Sequence, residues 1–265
     1  MYSYHFSQWL MFFYLYCFAG WIIESTIVSV SRRKLVNRGF LRGPYLPLYG
    51  TGAIVILFIA LPFQKNPIAV YFGGMIGATV LEYVTGWAME AIFKMRYWDY
   101  SKNKWNLHGR ICLKSSLFWG VLAVALVEWI HPPVERLVLR MDHTLLIALD
   151  LAIFCLMAAD TVVAVRTALD LNKLLAKLTQ IKSEADRLRM EIVQRRERDM
   201  AAQRAKLEKL RKELNLLTER AGFWKSQLVK AHPSARSKNF DEALGILRGR
   251  ISERRKRRKD EKNVK

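Results

Sequence analysis

Residues 1–22 contain no lysine or arginine. A cleavable secretory leader needs a positive segment before its apolar core and a small-residue cleavage site after it. Neither is present, so the first apolar helix is expected to stay in the mature protein. Cysteine is scarce too: the chain has 3, at Cys17, Cys112 and Cys155, each within or beside an apolar run. An odd number in such places argues against a disulfide framework or a zinc site and reads as small buried side chains. His108 stands without Cys, Asp or Glu at ligand spacing, so no metal and no cofactor is expected. No Gly-rich loop ending in Lys-Ser/Thr occurs, so the chain carries no ATPase of the phosphate-loop kind. Gly-x-Ser-x-Gly and His-Glu-x-x-His are missing as well.

What is present divides near residue 170. Residues 1–170 hold 15 Lys+Arg against 10 Asp+Glu, and residues 171–265 hold 28 against 13, so the second part supplies +15 of the +20 total. Five apolar runs, about 8–30, 47–64, 67–93, 112–131 and 143–168, are long enough to cross a hydrocarbon layer ~30 Å thick. The fourth is short and ends at Glu128-Trp129-Ile130-His131-Pro132-Pro133. The expected fold is all-α: a polytopic membrane protein with about five transmembrane helices over 1–170, a cytoplasmic coiled-coil-like helical segment over 171–230, and a basic, partly disordered tail over 231–265. Arg32, Arg33, Lys34, Arg38 and Arg42 follow the first span, and Lys94, Arg96, Lys102, Lys104 and Arg110 follow the third, while the opposite connections hold Lys65, then Arg136 and Arg140. Basic loops stay cytoplasmic, which places the N-terminus outside and the tail inside.

In the tail, Leu171, Leu174, Leu178, Ile181, Ala185, Leu188 and Ile192 follow 3-4 spacing. The pattern lapses through Arg195-Arg196-Glu197-Arg198 and resumes, one residue out of phase, at Leu207, Leu210, Leu214 and Leu217. That is a coiled-coil or helical-hairpin signature with a discontinuity. Two uses are open: self-association or a helical partner through residues 171–228, or a helix lying on the membrane surface. The run Arg254, Arg255, Lys256, Arg257, Arg258 and Lys259 is expected to be disordered and to contact anionic membrane lipids, each basic residue adding ~1 kcal/mol at the surface. Nucleic acid is disfavoured, since no aromatic residues interleave the charges and no recognised nucleic-acid fold accompanies them.

Carboxylates inside apolar runs are the strongest functional signal. A charge at mid-membrane costs roughly 2.5–3.5 kcal/mol, so such groups face a bundle interior, a cavity or a partner. Glu24, Glu82 and Glu90 qualify, with Glu82 nearest the middle of its run. Two readings are open: a substrate, ion or proton path, or structural pairs with Arg38, Arg96 or Arg110. Glu128, Asp150 and Asp160 read as interfacial or pairing residues. The loop from Asn37 to Gly50 is dense in glycine and proline, so part of it is expected to be non-helical at membrane depth, which is tolerated only when buried or lining a cavity. Arg38 and Arg110 are candidates for a phosphate or carboxylate, because a guanidinium offers a planar fork of donors. Asp99 can cap a turn or pair with an arginine.

Gly20-Trp21-Ile22-Ile23-Glu24, Asn37-Arg38-Gly39-Phe40 through Gly43-Pro44 to Pro47-Leu48-Tyr49-Gly50, Glu82-Tyr83, Trp98-Asp99-Tyr100-Ser101 and Asn106 to Gly109-Arg110-Ile111-Cys112-Leu113 occur in that order. The series resembles the bacterial family described as Putative ABC-transporter type IV, or predicted ABC-transporter permease, over roughly residues 8–165. The charged tail is not part of that pattern. The resemblance implies a multi-pass protein of the bacterial plasma membrane, permease-like, needing a separate ATPase subunit. Its signature positions add Tyr49, Asp99 and Asn106 to Glu24, Glu82, Glu90, Arg38 and Arg110 as an expected substrate or ion path. Two other classes compete: a non-transporting membrane scaffold or sensor whose coiled tail recruits a partner, and a membrane enzyme acting on a lipid phosphate through Arg38, Asp99 and Arg110.

Overall fold

The structure, a computed structural model, describes residues 4–194, 200–219, 221–237 and 239–263. The chain forms two compact units: Met1–Ile92 with Arg96–Val165, and Phe93–Met95 with Arg166–Lys265.

The first unit is a helical bundle. Its elements are α1 (Phe6–Ser31), α2 (Pro47–Ala60, extended by a 3-10 turn Leu61–Phe63), α3 (Pro67–Phe93), α4 (Leu113–Ala125), a π turn (Leu126–Ile130), α5 (His131–Leu139) and the first part of α6 (His143–Gln194). Four helical stretches are long and apolar enough to cross a membrane: Phe6–Ser31, Pro67–Phe93, Leu113–Leu139 and His143–Glu191. The fifth expected span, Pro47–Phe63, is helical and apolar but shorter. At 1.5 Å per residue it is about 25 Å long, below a full hydrocarbon thickness.

α3 shows why these helices suit lipid. Val70, Gly74, Ala78, Glu82 and Gly86 recur every four residues and are buried, while Phe72, Ile76, Val80, Val84 and Trp87 on the other side are exposed. A helix with its apolar side chains outward and its small and charged ones inward inverts the pattern expected in water. Close packing depends on the small residues. A Cβ on Gly50 would lie 2.3 Å from Cys17 Sγ and 2.7 Å from the Phe13 carbonyl oxygen, so α2 rests directly on α1.

The fourth apolar run is longer than its sequence suggested. Helix continues past Pro132-Pro133 to Leu139 through the π turn. Proline has no N–H to give and crowds the preceding turn. The wider π turn precedes them, and the prolines fall in the first turn of α5, where helix tolerates them, so they do not end it.

The second unit contains the later part of α6, then α7 (Met200–Glu219), α8 (Phe223–Ala231) and α9 (Asp241–Asn263). Ile181 and Leu188 of α6 pack with Leu207 and Leu210 of α7, flanked by Ala185, Leu214 and Leu217. The heptad face is therefore met within the same chain, as an antiparallel-type helical pairing of α6 with α7. The buried stripe is Leu171, Leu175 and Leu178, with Leu175 in place of the expected Leu174. Both 3-4 and 4-3 spacings keep a seam on one face; Leu175 is fully buried here and Leu174 half-buried. The charge-rich lapse at 195–198 lies outside the described residues. The run 254–259, expected to be disordered, lies within helix α9.

Candidate functional site

The two connections rich in basic residues hold the site together. The first, residues 32–46, enters the bundle: the Leu46 amide donates to the Cys17 carbonyl (3.0 Å), midway along α1. Asp160 of α6 fastens it from the other side, accepting from the Arg42 amide (2.9 Å) and the Gly43 amide (2.8 Å). Trp21 Nε1 donates to Asn37 Oδ1 (2.6 Å), and Asn37 Nδ2 donates to the Arg42 carbonyl (2.7 Å). On this Gly-Pro path Gly39 and Leu41 are buried and most of the rest is half-buried, and the amides of Arg42, Gly43, Tyr45 and Leu46 have protein partners, as non-helical backbone away from water requires.

The second connection forms a short hairpin of Asn106–Leu107 against Ile111–Cys112. His108 and Gly109 take left-handed backbone at its tip, with φ of +53° and +69°. Asn106 Oδ1 accepts from the Gly109 amide (3.1 Å) and its Nδ2 donates to the Asn103 carbonyl (2.7 Å). Tyr100's amide donates to the Gly109 carbonyl (2.8 Å), and Trp98 Nε1 donates to the Arg110 carbonyl (2.8 Å). Asp99 Oδ1 accepts from the Ser101 amide (3.0 Å) and from the Ser101 hydroxyl. Asp99 and Asn106 therefore shape this loop.

Above the hairpin, Glu90 is clamped between two arginines. Arg110 Nη2 lies 2.9 Å and Arg96 Nε 3.0 Å from Glu90 Oε2, and the three side chains are 15%, 30% and 12% exposed for Arg110, Arg96 and Glu90. Arg110 also sits over the Tyr83 ring, 5.3 Å from its centroid. On α1, Arg38 Nε lies 3.5 Å from Glu24 Oε2, and Tyr49 OH donates to Glu24 Oε1 (2.9 Å). The forks of Arg38 and Arg110 are thus engaged by carboxylates, the pairing alternative of the two left open by their sequence.

Glu82 is different. It is 5% exposed, and its partners are neutral: Tyr100 OH donates to Oε1 (3.1 Å) and Trp119 Nε1 to Oε2 (2.9 Å). Burial, then the Glu82 charge, raises the Tyr100 pKa, so that hydroxyl stays a donor. Among the described residues, no cation pairs with Glu82. The Tyr49 ring, which reaches Glu24, packs 5.7 Å from the Trp119 ring, which reaches Glu82. Helices α1, α2, α3 and α4 and the second loop thereby bring Glu24, Tyr49, Glu82, Tyr100 and Trp119 into one polar cluster, with Glu82 buried and the others half-buried. Glu90 with Arg96 and Arg110 forms a separate ion cluster two turns along α3.

Trp119 and Tyr100 were not singled out from sequence. Aromatic residues near span ends usually belong to the headgroup belt, which hides one that donates inward. Asp150, read as an interfacial or pairing residue, is buried at 6% exposure, and neither of its carboxylate oxygens has a hydrogen-bond partner among the described residues. Glu128 is exposed on the π turn. In the second unit, Arg254 donates to the Thr218 (3.0 Å) and Glu219 (3.3 Å) carbonyls at the end of α7. It satisfies a helix C-terminus, where cations are favoured. The side chains of Arg255, Lys256, Arg257, Arg258 and Lys259 lie outside the described residues. No group of three or more metal-ligating side chains occurs among the described residues.

A family profile described as Putative ABC-transporter type IV matches residues 11–165. No curated protein and no solved structure matches the chain.

Proposed function

The chain belongs to the Putative ABC-transporter type IV family, and from that premise we propose that it is the permease-like membrane subunit of a transport system. The family label and four apolar spans support a transport-associated membrane role. The path runs past Glu24, Tyr49 and Glu82, lined by Tyr100 and Trp119. Arg38, Glu90, Arg96 and Arg110 lie at its cytoplasmic mouth, with Asp99 and Asn106 holding the loop that carries them. A separate ATPase supplies energy, because the sequence holds no phosphate loop of its own. The setting is a bacterial plasma membrane with the N-terminus outside and the tail inside, following the basic loops.

One observation carries the reading. Glu82 is a buried carboxylate on the inward stripe of a membrane helix, held only by neutral donors. Solvation by two neutral donors costs much and adds no structural ion pair, which is the signature of a group kept for a passing ligand. A purely structural carboxylate would be matched like Glu90.

The test is ATP hydrolysis by the purified assembly of this chain with its ATPase, in wild-type and Glu82→Gln forms. The amide preserves shape and removes the charge. Coupled hydrolysis reduced at least about tenfold in the variant, with assembly intact, supports the path; unchanged hydrolysis removes it. A preparation that yields no ATPase but a partner lost on deleting residues 171–265 makes the chain a scaffold instead.

A further inference from the structure

His131, which begins α5 immediately after the π turn, is 2% exposed. Both ring nitrogens have partners: Tyr16 OH lies 2.8 Å from Nδ1 and Tyr4 OH lies 3.2 Å from Nε2. Tyr4 OH also donates to Glu135 Oε1 at 2.5 Å. A phenol has one hydrogen, so the Tyr4 oxygen that gives its hydrogen to Glu135 must accept from Nε2–H. Nδ1 then carries a lone pair and accepts from Tyr16. The neutral imidazole is fixed in one tautomer, and the hydrogen bonds run in one direction: Tyr16 to His131, His131 to Tyr4, Tyr4 to Glu135.

We propose that Tyr16, His131, Tyr4 and Glu135 form a binding site for a single proton, distinct from the Glu24–Glu82 cluster. The excess proton bonds to Nδ1, and the Tyr16 hydroxyl turns to accept from it. The resulting imidazolium can pass its Nε2 proton to the Tyr4 oxygen while the Tyr4 O–H bond breaks and a new O–H bond forms on Glu135. That leaves a neutral Nδ1–H imidazole beside a neutral carboxylic acid, with one proton gained and no other bond changed. Glu135 is half-buried and Tyr16 buried, so the chain leads from a partly open group to an enclosed one.

The surroundings leave Glu135 as the charge that governs uptake. Phe12 packs edge-on against the imidazole at 5.0 Å. α2 and α6 contribute Ile56, Leu57 and Leu146 to the core around Phe12 and Tyr16, none of them titratable. His5 and His143 face each other 6.4 Å apart near Tyr4. A π turn next to a fully bonded buried histidine is the kind of local irregularity that accompanies functional positions.

The experiment is nitrogen NMR of the full-length protein in mild detergent with labelled histidine rings, from about pH 8 to about pH 4. The His131 signal is the one lost in His131→Gln. Should that variant not fold, it is the signal moved by Tyr4→Phe and by Glu135→Gln. The expected result is an Nε2–H tautomer at about pH 8, uptake of one proton on acidification, and a midpoint at least about half a unit lower in Glu135→Gln. An Nδ1–H tautomer at the alkaline end, a signal constant across the range, or a midpoint unmoved in Glu135→Gln overturns the proposal. None of these outcomes bears on ATP hydrolysis or on Glu82, so this site stands or falls separately from the transport reading.

Discussion

Replacing Glu90 with glutamine keeps the shape of the side chain and removes its charge. Arg96 and Arg110 then share an amide that can accept through one oxygen and presents an NH2 where the second oxygen stood. At present Oε2 lies 2.9 Å from Arg110 Nη2 and 3.0 Å from Arg96 Nε, and Oε1 accepts from Arg96 Nη2 at 3.2 Å. Breaking a buried ion pair from one side costs about 3–5 kcal/mol, because the remaining charge stays desolvated. Arg110 is 15% exposed and suffers most of this; Arg96, at 30%, recovers some hydration. The expected loss is therefore about 2–4 kcal/mol. For a chain of this size each kcal/mol moves the midpoint by roughly 2–4 °C, so thermal unfolding in detergent, followed by circular dichroism, should fall by about 5–15 °C. Arg96→Met, which leaves Glu90 paired with Arg110, should cost less. A Glu90→Gln midpoint within about 1 °C of wild type, or an Arg96→Met loss larger than the Glu90→Gln loss, refutes the clamp.

Other expectations follow from the same geometry. Gly109→Ala places a Cβ at a φ of +69° and 2.5 Å from Ser101 Oγ; it should destabilise the protein by about 1–3 kcal/mol and increase protease cutting within residues 98–112. Gly50→Ala drives a methyl into the Phe13 carbonyl oxygen at 2.7 Å, and backbone cannot move aside as a flexible side chain does, so about 1–3 kcal/mol of stability should be lost in the same melt. Asp160→Asn keeps one acceptor but loses the charge shared by the Arg42 and Gly43 amides; charge-assisted bonds are worth about 1.5–3 kcal/mol, and amide exchange at Arg42 and Gly43 should speed up at least tenfold. Leu210→Ala, at a buried position facing α6, should cost about 2–4 kcal/mol and be visible as lost helix signal from the second unit without change to the first.

Much of the bundle was legible because run length and charge are local properties. An apolar stretch near twenty residues and a carboxylate inside it need no knowledge of what lies across the bundle. That is why Glu24, Glu82 and Glu90, with Arg38 and Arg110, stood out, and why the Asn37–Gly50 loop could be expected to be non-helical. What the structure adds is pairing, which depends on contacts far apart in sequence. Nothing local to Trp119 marks it as the donor to Glu82, 37 residues away. His131 was hidden by Pro132 and Pro133, which read as the end of a span; only the π turn reveals that the helix passes through them. The choice between Leu174 and Leu175 turned on which of two equal side chains is buried. Arg254 sat in a run whose composition pointed to lipid, and the end of α7 claims its donors.

The central claim is that this chain is the membrane half of a transport assembly, and purification with its natural partners tests it most directly. Full-length protein and a form ending at residue 170 would be isolated in mild detergent, and the accompanying proteins identified by mass spectrometry. The account predicts a phosphate-loop ATPase in stoichiometric amount with both forms. An ATPase absent from both, with a partner or self-association present only when residues 171–265 are retained, would contradict it and make the bundle an anchor for the tail.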